Sequence, residues 1–150
     1  MRDQLTTAMK EAMRAKDTNA LGTLRLILAA LKDRDIALRG KGQTDGIDEN
    51  EILQMLQTMV KQRRESITMY ERGGRLELAQ GEQAEIDVIE RFLPQQMDEE
   101  ATTTAVAGII DELGASSLKD MGGVMSALRE RFAGQMDFSK ASAAVKQKLA

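Results

Sequence analysis

Residues 114–125 read Gly114-Ala115-Ser116-Ser117-Leu118-Lys119-Asp120-Met121-Gly122-Gly123-Val124-Met125. They join two stretches of helical period. On the N-terminal side, Val106, Ile109, Ile110 and Leu113 recur at three- and four-residue spacing, the repeat of one helix face, in a helix predicted over 99–113. Gly114 then falls at the C′ position, where helices turn left-handed and glycine does so without a steric cost. Ser116 or Ser117 is the expected cap of a new helix. Its buried stripe is Met121, Val124, Met125, Leu128 and Phe132, and Gly134 closes it. Ser139 is the expected cap of the last helix, with Ala141, Ala144, Val145 and Leu149 facing inward. A phosphate loop is a competing reading, because a helix N-terminus attracts phosphate and Lys119 is close by. The spacing Gly-x4-Gly-Lys-Ser/Thr and a preceding strand are both missing. Gly122 and Gly123 would each cost about 1 kcal/mol inside a helix relative to alanine. That cost leads to the expectation that a neighbouring helix or ligand backbone approaches closely there.

Helical period also dominates upstream. A first helix is predicted over 2–16 with Leu5, Ala8, Met9, Ala12 and Met13 on one face. Asp17, Thr18 or Asn19 can cap the second, which carries Leu21, Leu24, Ile27, Leu28, Leu31 and Leu38 and ends near Gly40. A glycine-rich loop, 40–46, precedes Asp48, a good N-cap with Glu49 and Glu51 in the favourable first turn. The third helix places Ile52, Met55, Leu56, Met59, Arg63, Ile67 and Tyr70 on one face and stops at Gly73-Gly74. The fourth carries Leu76, Ala79, Ile86, Ile89 and Leu93, widened by Val88 and Phe92. Pro94 is the only proline. It disfavours helix at Leu93 and cannot continue the hydrogen-bond ladder, so a junction is expected over 93–97. Asp98 begins again as an N-cap. The expected organisation is all-α: a helical bundle of about four helices over 1–93 and a three-helix domain over 98–150.

The chemistry open to the chain is narrow. It has no histidine and no cysteine, which removes the commonest general base, the thiol nucleophile and the usual soft metal ligands. No metal and no cofactor are expected. No apolar run reaches the roughly 20 residues of a membrane span, and no signal-peptide core follows Met1; a cytoplasmic protein is the expectation. Ten methionines invite a soft binding groove, but Met55, Met59, Met121 and Met125 lie on stripes already needed for packing. Net charge is −3, unevenly spread: from Leu118 onward six basic residues face three acidic ones, whereas 98–117 carries five acids and no base. Such separation can steer a polyanion.

Several segments together carry a resemblance. Ser117-Leu118-Lys119-Asp120-Met121-Gly122-Gly123-Val124-Met125 resembles the signature of the GatB/YqeY family. Phe92-Leu93-Pro94-Gln95-Gln96-Met97, with Asp98-Glu99-Glu100 following, resembles its interdomain junction. Lys61-Gln62-Arg63-Arg64-Glu65-Ser66 and Thr23-Leu24-Arg25-Leu26-Ile27 resemble two of its helical segments, in the same order and spacing. The resemblance covers nearly the whole chain and is specific for the YqeY branch. It implies a C-terminal part similar to the tail domain of the B subunit of glutamine-dependent aspartyl/glutamyl-tRNA amidotransferase, a domain that helps hold tRNA. It also implies the family's label, carbon–nitrogen ligase activity with glutamine as amido-N-donor. The chain has neither the cradle domain nor the amidase Ser-Ser-Lys core that such chemistry uses, so the label reads as inherited from context.

On that resemblance the motif residues Gly114, Ser117, Lys119, Asp120, Met121, Gly122, Val124 and Met125 are expected in packing and turn roles, with Leu93, Pro94 and Gln95 at the junction. Candidate tRNA contacts are Lys119, Arg129, Arg131, Lys140, Lys146 and Lys148. Two departures remove positive charge: Ala133-Gly134-Gln135-Met136-Asp137 stands where relatives carry a Lys-Gly-Lys-like turn, and Gly123 stands where they often carry lysine. Phosphate contacts dominate nucleic-acid affinity, so these losses weaken it. Possible partners are tRNA or, in an alternative reading as a protein–protein adaptor, an aminoacyl-tRNA synthetase or amidotransferase subunit. Lys61, Arg63 and Arg64 form a basic turn expected to pair with Glu65 and nearby carboxylates; Arg63, on the apolar stripe, needs a buried carboxylate or an interface. Glu82, Glu85, Asp87 and Glu90 crowd one helix but show no converging catalytic partner.

Overall fold

A computed structural model describes all residues, 1–150. The chain forms seven α-helices and no strand: α1 (Arg2–Ala15), α2 (Thr18–Arg39), α3 (Glu49–Arg72), α4 (Leu76–Glu90), α5 (Glu99–Leu113), α6 (Met121–Arg131) and α7 (Phe138–Leu149). One 3-10 turn, Leu118–Asp120, precedes α6. The fold is all-α. The chain divides into two compact units, Met1–Leu93 and Pro94–Ala150.

In the first unit, α1 packs against α2, α3 packs against α4, and α2 joins the two hairpins by packing on α4. Leu5, Leu24, Ile27, Met55, Leu56, Ile86 and Ile89 form the fully buried centre. Asp17 caps α2 by accepting the Ala20 N–H. Asp48 caps α3 with a reciprocal capping box: it accepts the Glu51 N–H at 2.8 Å while Glu51 accepts the Asp48 N–H. Two helices are less apolar at their ends than their periodicity suggests. Met13 near the end of α1 and Leu76 at the start of α4 are exposed, each beside the turn that joins its helix to the neighbouring one. Ile47, in the loop and outside any periodic pattern, is buried.

That loop is held by one clamp. Arg2 donates through Nη1 and Nη2 to the two Asp35 oxygens at 2.7 and 2.9 Å, and again through Nη2 to the Ile47 carbonyl at 2.9 Å. Asp35 also accepts the Ile47 N–H at 2.9 Å. The start of α1, the second half of α2 and the entry to α3 are thus tied at one point. Hydrogen bonds from Arg2, with help from the Ile47 N–H and against a desolvation penalty, hold the Asp35 carboxyl down at about 2. Gly46 turns the chain into the clamp at φ +81°, and a Cβ there would stand 2.6 Å from both Arg2 Nη2 and Asp35 Oδ1.

In the second unit, α5, α6 and α7 pack pairwise around Val106, Val124, Leu128, Ala141 and Val145. Asp98 caps α5, accepting the Ala101 N–H at 2.7 Å. Leu113, expected on the core face, is exposed; it is the last residue of α5, and the chain leaves at Gly114 with φ +62°. The α6–α7 turn is bound to the segment after Pro94: the Met97 N–H donates to the Gln135 carbonyl at 2.8 Å, and Gln96 Nε2 donates to the Gly134 carbonyl at 2.6 Å. Met136, in that turn, is 0% exposed and fills the centre of the unit.

Candidate nucleic-acid interface

The segment 114–125 is a sharp corner built by one carboxylate. Asp120 Oδ2 accepts the backbone N–H of Ser116 at 2.9 Å and of Ser117 at 3.2 Å. The corner is therefore fastened from its far end, and neither serine caps α6 as expected: Ser117 opens the single 3-10 turn that hands the chain to α6, whose N-cap position is Asp120. The cap of α7 is Asp137, which accepts the N–H of Ser139 and Lys140, and not Ser139 itself. Asp137 satisfies the first orphan donors of a helix that begins two residues earlier than a Ser139 cap would allow, at Phe138.

The close approach expected at Gly122 and Gly123 is overturned. Both are exposed, and a Cβ at either would meet nothing within 4 Å. Val124, Met125 and Leu128 bury the opposite face of α6, with Met121 partly covered. Ser126 is exposed on the open face with the two glycines, so that surface is low at the start of α6, and the exposed Arg129 and Glu130 stand on it two turns further along. Lys119 stands exposed at the corner.

The six cations behave in two ways. Arg131 is held by Glu112 of α5 in a bidentate pair, Nη1 to Oε2 at 2.6 Å and Nη2 to Oε1 at 2.5 Å. These hydrogen bonds raise the Arg131 guanidinium and lower the Glu112 carboxyl from their ordinary values. Lys119, Arg129, Lys140, Lys146 and Lys148 are exposed and outside every ion pair of the unit. They do not converge. On a regular helix Lys146 and Lys148 project about 160° apart and Lys140 lies about 80° from Lys148. The unit as a whole carries eight acidic and six basic side chains, a net −2, with the acids concentrated on α5. Such an arrangement can attract a phosphate backbone electrostatically but offers no fixed fork for reading bases.

Most of the other charged residues singled out are paired within the α3–α4 hairpin, Lys61 and Glu82 excepted. Arg63 donates through Nε to Glu85 at 2.8 Å and through Nη1 to the Met59 carbonyl at 3.1 Å. Arg64 pairs with Glu90 at 2.9 Å, and Gln83 donates to Asp87. The partners come from α4 and not from Glu65. Glu85 and Glu90 are thereby ion-pair partners and not an acid–base dyad. No group of three or more acidic residues is placed to hold a metal ion, and no helix is long and apolar enough to cross a membrane. Leu93 packs against the first core, while Pro94 and Gln95 are exposed.

These features define a class: a small all-helical protein of two compact units with charged, exposed helix faces. A family model described as "Yqey-like protein" matches residues 2–149, and the chain belongs to that family. Among curated proteins it is similar to "Altered inheritance of mitochondria protein 41, mitochondrial" of Saccharomyces cerevisiae, 34% identical over 87 residues, 58% of this chain and 45% of that one. The protein of the same name from Lachancea thermotolerans is 31% identical over 111 residues, 73% of this chain and 57% of the relative. That from Eremothecium gossypii is 35% identical over 85 residues, 57% and 44%. The chain spans about half the length of these relatives.

Proposed function

We propose that this YqeY-family protein is an accessory factor of tRNA-dependent amidation, that its C-terminal unit contacts tRNA, and that it performs no reaction by itself. The observation that carries the reading is the set of five exposed, unpaired cations after Leu118: Lys119 at the corner, Arg129 on α6, and Lys140, Lys146 and Lys148 on α7. Of these, Arg129 shares the exposed face of α6 with Gly122 and Gly123, where a Cβ would meet nothing within 4 Å and a sugar–phosphate backbone can approach the first two turns of the helix. Scattered cations over a low surface suit the sequence-independent part of nucleic-acid binding, in which each neutralised phosphate releases counterions. The family's carbon–nitrogen ligase label then describes the pathway it assists. The lack of histidine and cysteine and the pairing of Glu85 and Glu90 with arginines support that division of labour. On this reading the protein works where aminoacyl-tRNA is made, in the cytoplasm or, as the relatives' name says of them, in mitochondria.

The test is an electrophoretic mobility shift of tRNA by the full-length chain at low salt and at rising salt. Binding is expected at low salt, with affinity falling steeply as salt increases. Replacing Arg129, Lys140 and Lys146 together by glutamate is expected to abolish it without loss of helical circular dichroism. No shift at low salt would overturn the reading. A second reading, an adaptor that holds a synthetase or amidotransferase subunit, is favoured by one different surface, on α2.

A further inference from the structure

Helix α2 has a second ordered face that nothing in its own unit covers. Its buried side is set by Thr23, Leu24, Ile27 and Leu31. On the opposite side Gly22, Ala29 and Ile36 recur at seven-residue spacing, and Arg25, Lys32 and Arg39 recur beside them at the same spacing. All six are exposed, and none of the three cations is in a direct ion pair, Arg39 acting on Asp35 only as a nearby charge. Leu26 on the far border is 47% exposed and Ile36 is 49% exposed, both large apolar side chains left in water. Asp33 shares that border with Leu26, while Asp35 is taken up by Arg2 and Ile47.

A seven-residue repeat drifts about 20° per heptad on a straight helix, the path followed by a partner helix in a left-handed supercoil. Gly22, Ala29 and Ile36 with Leu26 and Asp33 form the seam of such a pairing, and Arg25, Lys32 and Arg39 form its flank. The cations stand about 10 Å apart along the axis, one per two turns. The flanking charges of a helix pair choose the partner. We propose that this face of α2 docks an amphipathic helix with an acidic flank, contributed by a different protein.

Charge and apolar composition favour that occupant over others. In an antiparallel pair of two copies the cation flank would meet itself. In a parallel pair it would meet Thr23, Ala30 and Ala37, which carry no charge. A second copy of α2 therefore has no complement for it. A phosphate backbone has no use for exposed Leu26 and Ile36, which distinguishes this face from the cations of α6 and α7. An anionic bilayer would have to accept Asp33 at the same border, and only two large apolar side chains are there to insert. Gly22 has open space around it and Ala29 is small, so a partner helix can approach closely between Leu26 and Ile36.

The full-length chain and two synthetic three-heptad helical peptides test this, by fluorescence anisotropy at low salt. The peptides share a leucine–alanine seam and differ only in flanks of glutamate or lysine. The glutamate peptide is expected to bind at least about tenfold more tightly than the lysine peptide. The combined substitution Arg25→Glu, Lys32→Glu, Arg39→Glu is expected to invert that preference, and Ile36→Ser to weaken binding of the glutamate peptide. All four positions are exposed, and unchanged helical circular dichroism checks the fold. Equal binding of the two peptides, or glutamate-peptide binding indifferent to the charge reversal, overturns the proposal. Loss of tRNA, anionic-vesicle or self-association signals in the triple variant, with no glutamate-peptide binding by the parent chain, assigns the face to one of those occupants and overturns it equally. None of these residues is among those assigned to tRNA, so either reading can fail without the other.

Discussion

Each unit contains one bidentate arginine–carboxylate pair, and the two pairs do different things. Arg131–Glu112 has the shorter distances, 2.5 and 2.6 Å, but both side chains are about half exposed and the pair touches no backbone. Arg2–Asp35 is slightly longer, at 2.7 and 2.9 Å, yet Asp35 also takes the Ile47 N–H and Arg2 takes the Ile47 carbonyl. Water can replace the partners of the first pair at little cost. In the second, the charges satisfy backbone groups of a buried residue, which would otherwise lose their only partners. Distance ranks the pairs one way and consequence ranks them the other. What an ion pair is fastened to decides its contribution.

The largest effect expected from this comparison comes from a residue that carries no charge. Gly46→Ala must place a side chain at φ +81° and within 2.6 Å of Arg2 Nη2 and Asp35 Oδ1. Left-handed backbone costs a non-glycine residue about 1–2 kcal/mol, and the displaced clamp adds a comparable amount, so a loss of about 2–4 kcal/mol in urea denaturation is expected. A midpoint within error of the parent's would mean that the clamp does not hold the loop. Asp35→Asn comes next, at about 1–2 kcal/mol, since Arg2 keeps access to water. Its pH dependence has a fixed sign. The Asp35 pKa is lowered from 3.8 to about 2 in the folded chain. Its stabilisation is therefore complete above about pH 4 and is lost as pH falls through about 2. The parent is expected to lose stability more steeply than Asp35→Asn over that window, and parallel acid-denaturation curves would contradict the assignment.

Sequence made the helices legible because their signals are local. Asp48 and Asp98 stand directly before runs of helical period, and Gly114 directly after one. The clamp was not legible: Arg2 and Asp35 are 33 residues apart, and neither the pair nor the burial of Ile47 has a periodic trace. Met136 escaped for the same reason, since a turn residue acquires its core position only when Gln96 and Met97 fasten the turn. At the candidate site, residue types were legible and their partners were not. Arg131 looks like its neighbours until α5 brings Glu112 against it. The seven-residue series on α2 is present in the sequence, but its meaning depends on knowing which side of the helix is buried.

Gly122 and Gly123 reverse the lesson of Gly46. Helical and in open space, they spend conformational entropy with no packing in return. Gly122→Ala and Gly123→Ala are each expected to stabilise the chain by about 0.5–1 kcal/mol. Destabilisation by either would restore the close approach that the geometry excludes. If the open face admits a phosphate backbone, both variants should also weaken the tRNA shift while raising the melting temperature, a split that separates binding from folding.

The smallest effect on stability is expected where the distances are shortest. Glu112→Ala removes the Arg131 partner from an exposed position, and alanine keeps α5 helical; the urea midpoint should not move measurably. Its consequence should appear in binding instead. Released from Glu112, Arg131 becomes a sixth free cation in the unit, and the local acid that competes with phosphate for it is gone. The affinity for tRNA is then expected to rise severalfold at low salt, and the salt dependence to steepen by about one counterion. An unchanged midpoint with unchanged tRNA affinity would place Arg131 outside the contact surface. A lowered midpoint would show that the exposed pair, like the one at Ile47, holds structure that geometry alone does not reveal.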